Sequence, residues 1–260
     1  MPSQKASKRR RQAARTAPPP VRTRGQRRAS PRVLIAAGVV ALLVVVAIVL
    51  GVVLTGNSDS SSSATASKLP DAADVQQLLA GIPQNGTVLG KPSAPVTVIT
   101  YVDLQCPFCR QFETEAMPTI LDNYVRKGKA KVETRVISFI GPDSQTGREA
   151  ALAAAQQNKM FNFNQLLYDN QGTENTGWLD DNVINSAAAS IPGLDASRFQ
   201  SDRGSEAVKN ALATIDSQAD KAAVRSTPTI YVVHKGGKPQ LVNLSSPGDP
   251  SALETAINTG

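Results

Sequence analysis

Cysteine, histidine and aromatic residues are scarce in this 260-residue chain, and each scarcity excludes something. There are two cysteines, one histidine and one tryptophan, and 4% of the chain is aromatic. A structural zinc site takes about four protein ligands. Cys106, Cys109 and the distant His234 fall short of that set, so no metal is expected. No cysteine lies near residue 55, which excludes a lipid-modified N-terminus there. Acidic residues are absent from residues 1–32, where eleven Lys and Arg gather. The whole chain has 28 basic and 21 acidic residues, so the part beyond residue 32 keeps 17 basic ones and is net −4. The high isoelectric point thus belongs to the tail, and the folded part has no basic surplus for nucleic acid. Strand candidates are also missing from Thr146 to about Ala222, a stretch rich in Ala, Gln and Asn.

What the N-terminal quarter does have is a long apolar run. Val33 to Leu54 gives 22 consecutive uncharged residues, about 33 Å as a helix, enough to cross a bilayer. A cleaved signal peptide has a shorter core with small residues close behind it. Ala64-Thr65-Ala66 has the look of a cleavage site but lies well past the run, so an uncleaved anchor is expected. The positive charges before the span place the N-terminus in the cytoplasm and residues 55–260 outside. Residues 1–32 read as a basic disordered cytoplasmic tail, 33–54 as a transmembrane helix and 55–69 as a Ser-rich linker. Residues 70–260 then form the folded domain, in a compartment where disulfides persist.

Within that domain, Val75, Leu78 and Leu79 predict a short helix over 71–80, followed by a small strand near Thr87 to Leu89. Val96 to Val102 is an apolar, β-branched strand, and the segment opened by Cys106 carries Phe112, Ala116, Ile120 and Tyr124 on one helical face. Pro118 should bend or interrupt that helix, with Glu113, Glu115 and Asp122 on its solvated side. A second strand is expected over Lys131 to Ile140. Helices follow near 147–157, 160–169, 179–189, 195–202 and 205–222, with Phe161, Phe163, Tyr168 and Trp178 read as packing rather than a ligand cage. A β-hairpin is predicted from Val224 to Leu244, turning at His234-Lys-Gly-Gly237, with His234 a turn or strand-end residue. A terminal helix follows over Asp249 to Asn258, with Asp249 capping and Pro250 at its first position.

Chemistry concentrates where the first long strand ends, at Asp103-Leu-Gln-Cys106-Pro-Phe-Cys109. Pro107 suits a first helical turn, which leaves Cys106 at a helix N-terminus facing unpaired backbone donors. A free thiol titrates near ~8.5, and such a setting brings it to roughly 3.5 to 7.5. Cys106 is therefore expected to be an exposed nucleophile, and Cys109, nearly one turn further on, the thiol that resolves a mixed disulfide. A purely structural disulfide across so short a loop would constrain the unfolded chain little.

Four segments in order resemble one known family. They are Gly90-Lys-Pro-Ser-Ala-Pro-Val-Thr-Val, Asp103-Leu-Gln-Cys-Pro-Phe-Cys, Pro118 within the first helix, and Ser226-Thr-Pro-Thr before a strand. Together they are similar to the membrane-anchored DsbA-like thiol-disulfide oxidoreductases, over about two thirds of the chain. The resemblance implies an α/β thioredoxin fold with a helical subdomain inserted at about 145–222, preceded by one transmembrane helix. It further implies a cis Pro228 beside the cysteine pair, with Thr227 offering backbone hydrogen bonds to an extended substrate. Catalysis would rest on Cys106, Cys109, Pro107 and Phe108, with a redox-active Cys106–Cys109 disulfide and no cofactor. Partners would be exported Cys-containing clients and a membrane quinone-linked thiol oxidase of DsbB or VKOR type.

Two positions depart from the family pattern. Thr100 stands six residues before Cys106, where relatives often carry a proton-accepting acid, and the nearest acid, Asp103, would cap the helix or face solvent. Phe108 stands where some relatives place His, so the charge that would stabilise the thiolate is missing. The expected function is insertion of disulfides into exported proteins. A reductase or isomerase using the same pair, and a non-redox peptide-binding chaperone, remain open.

Overall fold

The structure is a computed structural model that describes residues 67–259. The basic tail, the Val33–Leu54 span, Ala64-Thr65-Ala66 and most of the Ser-rich linker lie outside the described residues. Among the described residues no helix is long and apolar enough to cross a membrane.

Helix α1 (Ala72–Leu79) buries Val75 and Leu79 and leads to two very short strands, β1 (Gln84–Asn85) and β2 (Val88–Leu89). Sequence reading finds only the second. Asn85-Gly86 turns the chain between them, Gly86 taking a φ of 58° that glycine adopts without steric cost. Strand β3 (Val96–Val102) is the spine of the sheet, pairing in parallel with β4 (Ala130–Val136) and antiparallel with β5 (Thr229–His234). With the edge strand β6 (Gln240–Val242), the order across the sheet is β1-β2-β4-β3-β5-β6. Strand alternation sends Val98, Thr100, Val132, Thr134, Ile230 and Val232 to one face, and all six are buried.

The helix after β3 runs without a break from α2 (Pro107–Gln111) through a π-helical turn (Phe112–Ala116), α3 (Met117–Ile120) and a second π-turn (Leu121–Val125). Phe112, Ala116, Ile120 and Tyr124 are buried as the spacing predicts. Pro118 does not end the helix. Proline has no N–H for the usual bond four residues back, and the ladder passes it by widening: the Met117 N–H reaches back five residues to Phe112 O.

β4 stops at Val136, four residues short of expectation, because the backbone N–H groups of Phe139 and Ile140 turn away to the Asp103 carboxylate. Between β4 and β5 come α4 (Pro142–Ala155), α5 (Met160–Asp169), α6 (Asp181–Ser190), α7 (Ala196–Arg203) and α8 (Glu206–Lys221). This is the expected helical insertion. α4 begins five residues early, with Pro142 in its first turn. The side chains of Asp180, Asp195 and Ser205 each accept the backbone N–H three residues on, capping α6, α7 and α8. Phe163 and Phe199 are fully buried with ring centroids 5.5 Å apart, and Tyr168 is buried too, so these aromatics pack. α9 (Ser251–Asn258) closes the chain, Asp249 accepting the Ser251 N–H just outside its first turn.

Candidate active site

The carboxyl ends of parallel β3 and β4, and the start of β5, meet at one end of the sheet. There the chain leaves β3 in a tight turn in which Asp103 O accepts the Cys106 N–H at 3.1 Å. Asp103 is fully buried and neither caps the helix nor faces solvent. Its carboxylate accepts from Gln105 N, Phe139 N, Ile140 N and Ser144 Oγ at 2.7–2.8 Å. These donors tie the turn to the loop after β4 and occupy the carboxylate.

Cys106 is the N-cap of α2 and Pro107 follows in its first turn, where the missing N–H costs no helical bond. Cys106 is 2% exposed, not the open nucleophile expected. The reason is the Thr227-Pro228 segment, which folds over it: that bond is cis, and the Cys106 Sγ lies 3.4 Å from the Thr227 carbonyl. Hydrogen bonding from Cys109 lowers the Cys106 pKa to about 6, against burial, with further help from Thr227 and the Cys109 and Phe108 backbones. Cys109 is 0% exposed, and burial, reinforced by Cys106, pushes its pKa well above the ordinary thiol value.

Of the residues singled out from sequence, Cys106, Pro107, Cys109, Thr227 and Pro228 therefore converge. Phe108 is 59% exposed and lines an open groove of about 520 Å³ with Arg225, Thr227, Pro228 and Leu241. His234 pairs with Val96 at the far end of β3, and its ring meets Ala256 O at 3.0 Å.

Other residues at the site are not marked by any motif. Gln171, beyond α5, donates to the carbonyls of Leu104 and Cys106 at 2.8 and 3.2 Å. The Tyr168 hydroxyl reaches Asp103 O at 3.3 Å. Glu113 is not on the solvated side of its helix. It is partly buried against α5 and β4, and burial raises its carboxyl to about 8. Its signal in the sequence was its place one helical turn beyond Cys109.

A buried thiol pair at a helix N-terminus, facing a cis-proline loop across a thioredoxin-like sheet, defines a dithiol oxidoreductase of the thioredoxin class. A family model described as thioredoxin matches residues 83–245, and the chain belongs to that family. Disulfide bond formation protein D of Bacillus subtilis strain 168 is 28% identical over 170 residues, 64% of this chain and 73% of the relative. The probable disulfide bond formation protein D of Bacillus cereus is 31% identical over 147 residues, 55% of this chain and 68% of the relative. Among solved structures, oxidised BdbD from B. subtilis superposes with a TM-score of 0.58 at 22% identity, covering 68% of this chain and 95% of that one. A thioredoxin-like oxidoreductase from Silicibacter pomeroyi gives a TM-score of 0.53 at 27% identity, covering 70% and 95%. The chain is a DsbA-like thiol-disulfide oxidoreductase.

Proposed function

We propose that this protein oxidises exported proteins through the Cys106–Cys109 pair. The observation that carries the reading is the opposite displacement of the two thiols, Cys106 lowered to about 6 and Cys109 raised. A client thiolate attacks the Cys106 sulfur of the disulfide and Cys109 leaves. A second client thiol then attacks the client's own sulfur in the mixed disulfide, and Cys106 departs as the thiolate its surroundings stabilise. The client leaves oxidised and the pair reduced. Stabilising the Cys106 thiolate stabilises the reduced form, which is what makes a pair oxidising. Pro107 starts the helix, Phe108 offers an apolar rim, and Thr227 with Pro228 lines the groove where an extended client segment lies.

In this reading Val33–Leu54 anchors the protein in the membrane, with residues 1–32 in the cytoplasm and the catalytic domain outside. A quinone-linked membrane thiol oxidase of DsbB or VKOR type returns the pair to the disulfide. The names of the B. subtilis and B. cereus relatives support disulfide formation as the direction.

Single-cysteine variants of the full chain test the roles. Cys109→Ser is expected to accumulate mixed disulfides with clients, because it keeps the attacking thiol and loses the resolving one. Cys106→Ser is expected to exchange nothing. Equal trapping by both would erase the assignment, and full complementation of a deletion by both would favour a non-redox chaperone.

A further inference from the structure

The groove beside the thiols does not end at β5. Ala223 and Tyr231 are among the residues that line it. Ala222 and the same Tyr231 line a second open hollow of about 330 Å³, on the sheet face turned away from Val98 and Val232. Tyr231 is fixed at this junction. Its hydroxyl donates to Ala222 O at 2.9 Å at the end of α8, and its ring meets Tyr101 edge-on with centroids 6.3 Å apart. The hollow thus continues the groove past the end of α8, over Ile99, Tyr101 and Pro239.

The charges along this path are of one sign. Arg225 lines the first part, Arg135 and Lys221 line the second, and no acidic residue lines either. Beyond residue 32 acids outnumber bases by 21 to 17, so this run of cations does not follow from the composition of the domain. Arg135 is already engaged, paired with Glu133 at 2.7 Å and donating to the Tyr101 hydroxyl. Arg225 and Lys221 are exposed and form no salt bridge among the described residues. The Arg225 guanidinium donates to the carbonyl of its own neighbour Val224 at 2.9 Å and to no other partner among the described residues. Asp220, next to Lys221 in the chain, is exposed and outside the lining.

We propose that the second hollow extends the client groove, and that Arg225 and Lys221 select exported clients whose extended segments carry acidic residues away from the reacting cysteine. The inference rests on the oxidising role proposed above and names the clients that role favours. Continuity with the groove at the thiols gives the occupant, and the unpaired cations give its charge. Arg225 stands two residues before Thr227, whose carbonyl lies 3.4 Å from Cys106 Sγ. A client segment rising about 3.3 Å per residue therefore brings a Glu about three positions from its cysteine to Arg225, and one about seven positions out to Lys221 beyond Tyr231. Opposite charges speed association and fix the register of the segment, most strongly at low salt. The covalent step is unchanged, the client thiolate attacking Cys106 Sγ.

The test follows loss of the disulfide when oxidised full-length protein is mixed with single-cysteine peptides, read by acid quench and mass spectrometry at about 0.01 M and about 1 M salt. The peptides carry Glu, Gln or Lys about three or about seven positions to either side of the cysteine, and each rate is expressed per peptide thiolate. Glu peptides should react roughly tenfold faster than Lys peptides at low salt, and within about twofold of them at high salt. Arg225→Glu should cancel the preference in the near series and Lys221→Glu the preference in the far series. Equal rates for Glu and Lys peptides at low salt, or a preference that survives both substitutions, would overturn the proposal while leaving the thiol roles intact. A preference in the near series alone would confine the client to the first groove and overturn the extension. A wild type that exchanges with no peptide at either salt would overturn the parent reading and this one with it. If either variant fails to fold, the near and far series of the wild type and their salt dependence decide in the same way.

Discussion

Cys106 sits at the first turn of a helix, where backbone N–H groups and the Cys109 thiol can donate to it. Cys109 is sealed among core side chains and pays for any charge, so a four-residue motif holds two very different thiols. Thiolate absorbance of the reduced protein should therefore rise with a midpoint near 6. Cys109→Ala, which removes the largest donor, should move that midpoint up toward the ordinary ~8.5. An unmoved midpoint would show that Cys109 does not hold the thiolate. The same shift sets a stability trend. The Cys106 pKa is depressed in the folded state, so its contribution is complete above the unfolded value of ~8.5 and is lost as pH falls through about 6. The raised Cys109 pKa works the opposite way only above the ordinary thiol range. Reduced protein should accordingly lose on the order of 3 kcal/mol relative to oxidised protein between those pH values, read from paired urea unfolding curves.

The elements were legible where the physics is local and hidden where it is not. Four of the five helices of the insertion were placed to within two residues, whereas α4 begins five residues early at Pro142; the caps at Asp180, Asp195 and Ser205 fix the last three starts. The two-residue strands β1 and β2 are too short to carry a period, and only Val88–Leu89 stood out. The end of β4 was hidden because Asp103, thirty-odd positions earlier, takes the N–H groups of Phe139 and Ile140. Glu113 was misread because it follows Phe112 of the apolar stripe and looks like its polar neighbour. Glu113 also lies within the π-turn Phe112–Ala116, and no propensity foretells that turn. Of the site itself, Cys106 and Cys109 were plain in the sequence and Pro228 was implied only by the family resemblance, whereas Gln171 and Tyr168 come from the far end of an insertion. Asp103 joins these parts. Asp103→Asn turns an amide toward backbone donors that need an acceptor, and should cost roughly 3 kcal/mol in urea unfolding at unchanged m-value. A loss under ~0.5 kcal/mol would remove Asp103 from the architecture of the site.

At the scale of the whole molecule, the helical insertion and the sheet share the turn that carries the thiols. Arg110 Nε donates to Tyr168 O, Gln171 clasps Cys106 O, and a Cβ on Gly147 would lie 2.5 Å from Leu179 Cδ2 and 3.2 Å from Leu104. The domain is thus one redox unit, and the proposed anchor decides where it works. Cysteine labelling and protease access on intact cells should find residues 55–260 outside and 1–32 inside, with the protein in the membrane fraction. A soluble form beginning near Ser67 would mean that the chain is cut at Ala64-Thr65-Ala66. The direction of electron flow follows from the balance of the two thiols. Helix-end donors and Cys109 stabilise the Cys106 thiolate, but Phe108 adds no charge, so the pair should be oxidising by a smaller margin than one with His in that place. The most direct measurement is the reduction potential of the full-length protein, equilibrated against glutathione. Strongly oxidising pairs lie near about −120 mV and strongly reducing ones near about −270 mV. A value in the upper half of that range, raised further by Phe108→His, is the expected result. A value near about −270 mV, or a Phe108→His variant that becomes more reducing, would contradict the oxidising role.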